Sequence, residues 1–406
     1  MVIRLSAMGD AAISAPLVRA YASANPDCNF YMVSQPRFEA MFSYPAQRCA
    51  PLLTNGSLSN NACKNYEASS QDAVTETHDV KSEHLQTVEE TNISNLHYIP
   101  LNTKHGAPDY CGSWKGLIKF ARTVKREYGI THFADIHDVL RTKLLRITLR
   151  LCGVKVAKIN KHRKERAALC RQNNKKFVQI IKSQRCMEEV FVKLGLKDLH
   201  FTEENAGKSK ERAKAFSNQE TVSRKVIKIG IAPFAGHKGK EWPTEKMEEV
   251  VKYFAEHSIT DIPINDHTKE IVYKIYLFGG GKREIEIMQP WADKYPNTEL
   301  FAGKHTLHQE LESMAALDVM VSMDSANMHL ASLVGTPVVC VWGATHKFAG
   351  YNGWGQKDEN AVEADLPCRP CSIFGAKKCF KTETPYACLN MVTPQMVIEK
   401  IESIVL

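Results

Sequence analysis

The feature that most constrains the fold of this 406-residue chain is an alternation of short branched apolar segments with longer segments of helical periodicity. Val2 to Leu5 predicts a first strand, Ala11 to Ser23 keeps apolar residues at helical spacing, and Phe30 to Val33 predicts a second strand. Strands that alternate with helices in this way form parallel sheets with helices on both faces. The sequence therefore predicts an α/β fold with a doubly wound sheet.

The same alternation continues to Ile159 and starts again after residue 224. In the first half it predicts two further helices, Trp114–Tyr128 and Val139–Leu151, and two further strands, His132–Asp135 and Lys155–Ile159. In the second half it predicts four strands: Val226–Ala232, Tyr273–Phe278, Val319–Met323 and Val338–Trp342. Between and around them it predicts four helices: Thr244–His257, Arg283–Tyr295, Leu307–Ala315 and Asn327–Leu333. We therefore expect two Rossmann-like domains that face each other across a cleft.

Two polar stretches set the domain boundaries. Residues 54–95 are rich in Ser, Asn, Thr and Glu without any period, which predicts an insertion in a first domain that covers 1–205. A charged linker is expected at 206–224, before a second domain at 225–392. Thr393 and Pro394 are typical of an N-cap and a first helical position, so residues 393–406 are expected to form a C-terminal helix.

The composition is that of an ordinary globular protein, with 44% hydrophobic and 24% charged residues. Nowhere do eighteen apolar residues run together, and Met1 leads directly into a strand pattern rather than a signal peptide. The 12 cysteines are dispersed along the chain, which favours free thiols in a reducing compartment. We expect a soluble, cytoplasmic protein.

Much of the net charge of +8 lies in a basic stretch from Arg141 to Arg185, which holds fifteen Lys or Arg residues and one acid, Glu165. Such a surface suits nucleic acid, an anionic glycolipid or the cytoplasmic face of a membrane. Helix faces that contact only solvent explain it equally well.

The segment from Asp324 to Leu330 is the strongest candidate for a phosphate-binding loop. A strand ends at Asp324 and a helix begins within three residues, so that small residues leave backbone amides accessible at a helix N-terminus. We name Asp324, Ser325, Ala326, Asn327, Met328 and His329 as candidate pyrophosphate-binding residues. The alternative is that Asp324 and Ser325 are ordinary caps and that His329 is a packed core residue.

Two further loops of the second half contain residues that suit the binding of a nucleotide. Lys240 follows the first strand of the predicted second domain, where its ammonium can neutralise a diphosphate leaving group, although a solvated loop lysine fits the same pattern. Gly279 and Gly280 follow the next strand.

In the first half, Asp10 lies where the first strand meets its helix. It is either a helix N-cap, a role worth about 0.5 to 2 kcal/mol, or a general base that accepts the proton of an attacking hydroxyl. The sequence contains neither an Asp-x-Asp pair nor a Gly-x4-Gly-Lys-Ser/Thr loop nor a Gly-x-Ser-x-Gly elbow, which disfavours metal-assisted transferases, nucleoside triphosphatases and hydrolases.

Together these segments resemble glycosyltransferase family nine, the bacterial heptosyltransferases. The resemblance is carried by Val2 to Asp10, Lys240-Glu241-Trp242-Pro243, Phe301 to Lys304, Asp324 to Ala331, Gly335 to Val338 and Trp342 to Thr345. Ala326 and Asn327 depart from it, since many members have Gly and Pro there.

The resemblance implies a GT-B fold and an inverting, metal-independent transfer of heptose from ADP-heptose to the lipopolysaccharide inner core of a Gram-negative bacterium. It implies that Asp10 is the catalytic base, that Lys240 meets the donor phosphate and that Asp324 to His329 form the donor-binding loop. An anionic glycolipid of the lipid A-Kdo type is then the expected acceptor, with Ser6, Gly9 and Arg141 as candidate contacts. No cofactor is expected for catalysis, and the enzyme is expected to be peripheral to the cytoplasmic face of the inner membrane.

The last four cysteines, Cys368, Cys371, Cys379 and Cys388, have the spacing C-x2-C-x7-C-x8-C. Four thiolates suit a structural zinc, but only one half of the pattern has the tight spacing of a zinc knuckle, so free or oxidisable thiols remain the alternative.

Other functions stay open at this point. The same enzyme class with another nucleotide sugar or acceptor is the nearest alternative, and a non-catalytic protein that binds a nucleotide sugar or glycolipid is the second. A nucleic-acid-binding protein is the third; it depends on the basic stretch alone, which lacks interleaved aromatic residues, and we expect no nucleic-acid partner.

Overall fold

The computed structural model describes residues 1–43, 93–103, 111–201, 224–257, 259–264 and 267–406. Except for residues 93–95 and 224, the predicted insertion at 54–95 and the predicted linker at 206–224 lie outside the described residues.

The first half contains a five-stranded parallel sheet of order β3-β2-β1-β4-β5. Its strands are β1 (Val2–Ile3), β2 (Phe30–Ser34), β3 (Leu96–Pro100), β4 (His132–Asp135) and β5 (Lys155–Lys158). The order reverses at β1, because the chain goes to β2 and β3 on one side of it and to β4 and β5 on the other. The carboxyl ends of β1 and β4 therefore border the crevice in which doubly wound sheets bind ligands.

Helices cover both faces of this sheet. Helix α1 (Met8–Ser23) lies on one face, together with the short α2 (Glu39–Ser43). On the other face, α3 (Trp114–Glu127) and α4 (Leu140–Leu151) bury their apolar sides against β1 and β4. Two further helices follow β5: α5 (Arg163–Leu169) and α6 (Ser183–Lys193).

The second half contains a seven-stranded sheet. Its strands are β6 (Arg224–Ala232), β7 (Ile259–Ile264), β8 (His267–Leu277), β9 (Thr298–Leu300), β10 (Val319–Met323), β11 (Val338–Trp342) and β12 (Ala361–Glu363). β6 lies between β8 and β10, so the order reverses here as well. Every residue of β10 and β11 is buried, as expected of parallel strands covered on both faces.

The helices of this half are α7 (Thr244–Glu256), α8 (Lys282–Lys294), α9 (Leu307–Ala315), α10 (Ala326–Leu333), α11 (Ala387–Asn390) and α12 (Pro394–Val405). Helices α7, α8 and α12 share one apolar cluster with the sheet. A second cluster contains residues of α1, α9 and α10, so the two halves share a continuous apolar core. Helices α1 and α10 are direct neighbours within it.

The prediction of two doubly wound α/β domains is confirmed. The sequence analysis missed four strands and four helices of the described residues: β3, β7, β9 and β12, and α2, α5, α6 and α11. Strand β8 begins at His267 rather than at the predicted Tyr273, because its first residues pair with β7 in an antiparallel hairpin. Within the described ranges, every helix is too short or too polar to cross a membrane.

Candidate active site

Asp10 lies at the carboxyl end of β1, on the third residue of α1. Its Oδ2 accepts a hydrogen bond from the Ala7 amide at 3.2 Å and forms an ion pair with the Arg4 guanidinium. Of the two alternatives for Asp10, the N-cap is wrong: Ala7 is the N-cap, and Asp10 closes the first turn by reaching back to it. Both contacts use Oδ2, so Oδ1 is the oxygen that can face a ligand.

Asp10 is ionised at neutral pH. Burial alone raises the pKa of this carboxyl, but the Arg4 guanidinium, the Ala7 amide and His329 together outweigh burial and hold the pKa below its usual 3.8. Arg4 is buried directly after β1 and also donates to the Ile136 carbonyl at 2.7 Å, so the loop after β4 helps to fix its position. Sequence reasoning missed Arg4, although an arginine in an apolar strand is itself a signal of an internal partner.

The loop after β4 completes this side of the crevice. The Nε2 atom of His137 lies 3.2 Å from Oγ of Ser6, and its Nδ1 accepts from the Leu5 amide at 3.4 Å. Burial and the Arg4 charge lower the pKa of His137 to about 3, so its imidazole is neutral. The predicted acceptor contact Ser6 is thus joined to a histidine that the sequence analysis had not singled out.

A lysine of the basic stretch also reaches this crevice. Lys161 follows β5, and burial together with the charges of Arg4 and Arg163 lowers its pKa, against the opposing effect of Asp10 and Asp138. Arg141, the predicted acceptor contact, is exposed at the start of α4. Arg141 lies at the same edge of the sheet. The arginines whose charges act on the pKa of Asp10 or of Lys161 are Arg4 and Arg163.

In the second half, Lys240 and Asp324 form an ion pair with 2.9 Å between Nζ and Oδ2. Lys240 follows β6 and Asp324 directly follows β10, the two strands at which the sheet order reverses. Both side chains are largely buried, with 15% and 7% exposure. The pair thus occupies the place where this fold class binds phosphorylated ligands.

Helix α10 begins directly after Asp324. Ser325 is its N-cap, but its side chain makes no cap hydrogen bond and instead lies 3.2 Å from Oγ of Ser322. The first amides of α10, at Ala326, Asn327 and Met328, therefore have no side-chain acceptor in the described structure and can receive an anion. Met328 itself is fully buried.

His329 connects the two halves of the site. Gly9 approaches it so closely that a Cβ at position 9 would lie 2.6 Å from Cδ2 of His329. Burial lowers the pKa of His329 to about 4, against the raising effect of Asp324 and Asp10. Its buried Nδ1 has no hydrogen-bond partner among the described residues. The residue next to the expected catalytic base therefore contacts the expected donor loop.

Gly279 and Gly280 follow β8, one strand beyond β6. Their loop is closed by Glu284, whose Oε2 accepts from the Gly280 amide at 2.7 Å. A Cβ at position 279 would lie 2.7 Å from the same oxygen, so a side chain there is disfavoured. The glycines thus permit a tight turn at the edge where Lys240 lies, and their donor contact stays a prediction.

The terminal cysteines are free thiols in this structure. Burial raises the pKa of Cys388 to about 11 and also raises that of Cys371, and the Cys379 sulfur accepts from the Tyr386 amide at 3.4 Å. Across the described part of the chain, no group of three or more His, Cys, Asp or Glu side chains is arranged to hold a metal ion. The zinc site at these four cysteines stays a prediction.

When this chain is compared with models of known protein families, one family matches it. The model of glycosyltransferase family 9 (heptosyltransferase) matches residues 166–379, more than half of the chain. The match includes Lys240, Asp324 and His329, and it begins after Asp10. Lipooligosaccharide heptosyltransferase 2 of Campylobacter jejuni is 27% identical over 136 residues, which are 32% of this chain and 41% of that protein. The chain thus aligns with less than half the length of this curated relative.

Solved structures are similar over the whole chain. The family 9 glycosyl transferase of Veillonella parvula has a TM-score of 0.60 at 16% identity, over 100% of this chain and 96% of that one. E. coli heptosyltransferase WaaC with ADP has a TM-score of 0.56 at 16% identity, over 99% and 98%. E. coli ADP-heptose lps heptosyltransferase II has a TM-score of 0.55 at 14% identity, over 100% and 97%. At these identities the similarity shows the fold, which is of the GT-B type.

Proposed function

Because this chain belongs to glycosyltransferase family 9, the heptosyltransferase family, we propose that it transfers heptose from ADP-heptose to the inner core of lipopolysaccharide. The observation that carries the proposal is the contact of Gly9 with His329, which joins Asp10 to the Lys240–Asp324 pair across the two halves. The name of the Campylobacter relative and the structure of WaaC with ADP-2-deoxy-2-fluoro heptose support this choice of donor and acceptor.

On the donor side, the diphosphate lies at the N-terminus of α10. The uncapped amides of this helix and the Lys240 ammonium stabilise the negative charge that develops on the leaving group. Asp324 holds Lys240 in place through their ion pair. Gly279 and Gly280 border the nucleoside end of this pocket.

On the acceptor side, Asp10 is the base. Its ionised carboxylate takes the proton of the acceptor hydroxyl through Oδ1, while Arg4 and the Ala7 amide hold Oδ2. The deprotonated oxygen attacks the anomeric carbon on the face opposite the diphosphate. The C–O bond to the diphosphate breaks as the new glycosidic bond forms, so the configuration inverts.

The charges around Asp10 suit an anionic acceptor. Arg4, Lys161 and Arg163 influence the pKa values of this crevice, and Arg141 is exposed at its edge. The carboxylate of Kdo and the phosphate of lipid A complement these cations. We place the protein at the cytoplasmic face of the inner membrane, where such an acceptor is available.

The test is transfer from a panel of nucleotide sugars to purified lipid A-Kdo acceptors, with EDTA present. Wild type is compared with Asp10→Asn and with the matched control Asp27→Asn, an exposed aspartate of the same half. General-base catalysis contributes about 10²- to 10⁴-fold, so we expect Asp10→Asn to lose that much activity and Asp27→Asn to lose none.

The outcomes separate the alternatives. Transfer from ADP-heptose that persists in EDTA and falls in Asp10→Asn supports the proposal. Transfer from another donor keeps the enzyme class and rejects the substrate. Tight binding without transfer, unchanged in Asp10→Asn, indicates a non-catalytic binding protein, and salt-dependent retention of nucleic acid with no transfer indicates the third alternative.

The zinc hypothesis is a separate proposal, and it depends on the cysteine spacing alone. Metal analysis of the purified chain and of Cys368→Ser/Cys371→Ser tests it. Stoichiometric zinc in wild type that is lost in the variant supports a structural site, whereas zinc-free wild type leaves free thiols.

A further inference from the structure

Helix α4 carries an apolar stripe on the side that faces solvent. Leu145 and Leu149 are buried against the sheet, whereas Leu140, Ile147 and Leu151 are 83%, 49% and 84% exposed. At about 100° per residue, these three exposed positions lie within about 40° of one another on the helix. Single exposed leucines are common on protein surfaces, but an aligned set on one helix indicates an interaction surface.

Cations flank this apolar stripe on both sides. Lys143 and Arg150 are exposed on one side of it, and Arg141 is exposed on the other. Helix α4 contains no acidic residue. An apolar face bordered by Lys and Arg is the pattern of a helix that lies in the interface of an anionic bilayer.

Helix α3 extends the surface with a basic stripe. Lys115, Lys119, Arg122 and Arg126 are exposed and spaced by four, three and four residues, which places them on one side of the helix. The opposite side of α3 is buried in the same cluster as α4, against the same face of the sheet. The basic stripe of α3 and the apolar stripe of α4 therefore face outward in the same direction.

The amino ends of both helices lie at the edge of the sheet that holds the site. In a parallel α/β unit the helices run opposite to the strands, so α3 and α4 begin at the carboxyl ends of the strands, the edge at which Asp10 also lies. Trp114, at the first position of α3, is 64% exposed at this edge. Tryptophan favours the level of lipid headgroups.

We propose that the α3–α4 face, formed by the two outward stripes, docks on the surface of an anionic phospholipid bilayer. Leucines that enter the acyl boundary and cations that meet phosphate account for both stripes together, whereas a nucleic-acid surface would leave the exposed leucines of α4 unexplained. This inference rests on the proposed function, because docking here brings the Asp10 crevice to the level at which a glycolipid acceptor presents its sugar.

The test is co-sedimentation of the full chain with vesicles of phosphatidylethanolamine and phosphatidylglycerol, and with vesicles of phosphatidylcholine alone. The variants are Leu140→Ser/Leu151→Ser and Lys119→Glu/Arg122→Glu. Matched controls in the second half are Phe374→Ser/Met391→Ser and Lys252→Glu/Lys378→Glu, all at exposed positions.

We expect wild type to bind the anionic vesicles, each α3–α4 variant to lose at least about tenfold in partitioning, and both controls to bind like wild type. Any of three results overturns the proposal: wild type binds phosphatidylcholine vesicles equally well, wild type binds no vesicles, or the α3–α4 variants bind like wild type. A wild-type dimer that becomes monomeric in Leu140→Ser/Leu151→Ser without vesicle binding also overturns it, in favour of a second copy on this face.

A deacylated, water-soluble acceptor separates this inference from the proposed function. The α3–α4 variants are expected to transfer to it like wild type, because none of the four changed residues lies in the site. If wild type transfers nothing to any acceptor, the proposed function fails, and the vesicle assay still decides the docking face on its own.

Discussion

Arg4 decides the protonation state of Asp10. The pair lies in the first strand and the following turn, so its geometry depends on a few residues of backbone. Burial acts on the carboxyl in the direction of a higher pKa, and the guanidinium is the largest influence in the opposite direction. The buried Arg4 guanidinium is thus the main reason why the partly buried Asp10 stays ionised.

Replacing Arg4 by Met is therefore expected to raise the pKa of Asp10. A base is active above its pKa, so the acidic limb of kcat/KM moves to higher pH in Arg4→Met, while in wild type it lies below the usual range of an aspartate. Arg4→Lys keeps the charge and should restore part of the shift. A pH–rate profile of the three proteins measures this, and limbs that coincide would show that Arg4 does not control the base.

Gly9 is the other residue whose identity follows from a close contact. Alanine is favoured over glycine within a helix by about 1 kcal/mol. Here its Cβ would meet His329 at 2.6 Å, and overpacking costs about 1 to 3 kcal/mol. We expect Gly9→Ala to lower the free energy of unfolding, as measured by urea denaturation.

The control for this change is Gly236→Ala, where a Cβ meets no atom within 4 Å. It should be neutral or slightly stabilising. A Gly9→Ala protein at least as stable as wild type would mean that the contact between the halves opens without cost.

Among the elements, the start of α12 was predicted correctly from its capping signal. Thr393 caps α12, with its side chain accepting from the Met396 amide at 3.3 Å, as the Thr-Pro pair predicts. Helix α12 in turn buries Ile398 and Ile401 in the core of the second half. The cap thus stabilises an element that closes a hydrophobic cluster.

Loss of this cap has a defined cost. Thr393→Ala removes the hydrogen bond and is expected to lower the free energy of unfolding by about 1 kcal/mol. Thr244→Ala makes the same change at the first position of α7, where no side-chain cap exists, and is expected to cost less. Equal effects of the two substitutions in chemical denaturation would contradict the assigned role of the cap.

At the scale of the whole molecule, three buried histidines from different parts of the fold make stability depend on pH. Burial lowers the pKa of His137 to about 3, and those of His329 and His346 to about 4. Because the unfolded chain binds protons at the usual 6.5 and the folded chain does not, stability is complete above that pH and is lost as pH falls towards the folded values.

We expect the free energy of unfolding to fall by about 2 kcal/mol per histidine between pH 7 and pH 5. His346→Asn removes one titrating ring and retains an acceptor for the Phe348 amide, which His346 Nδ1 now binds at 3.1 Å. The variant should show a shallower dependence than wild type in denaturation at the two pH values. An unchanged slope would show that His346 titrates normally in the folded protein.

Features that depend only on neighbouring residues could be predicted from the amino-acid sequence. The alternation of periods predicted both α/β halves, and the bounds of α9, β10 and β11 agree with the structure, because side-chain periodicity is a property of each segment alone. It also drew attention to Asp10, Lys240 and the loop at Asp324, since turns at strand ends have characteristic residues.

Only the tertiary structure decided which of these residues meet. Three interactions join segments that are far apart in sequence: the Lys240–Asp324 ion pair, the electrostatic interaction of Lys161 with the Asp10 crevice, and the contact of Gly9 with His329. Strand order and the packing of α1 on α10 create these contacts, and no local pattern contains that information. The outward face of α3 and α4 was hidden for the same reason: whether a leucine is buried or exposed depends on what the rest of the chain places against it.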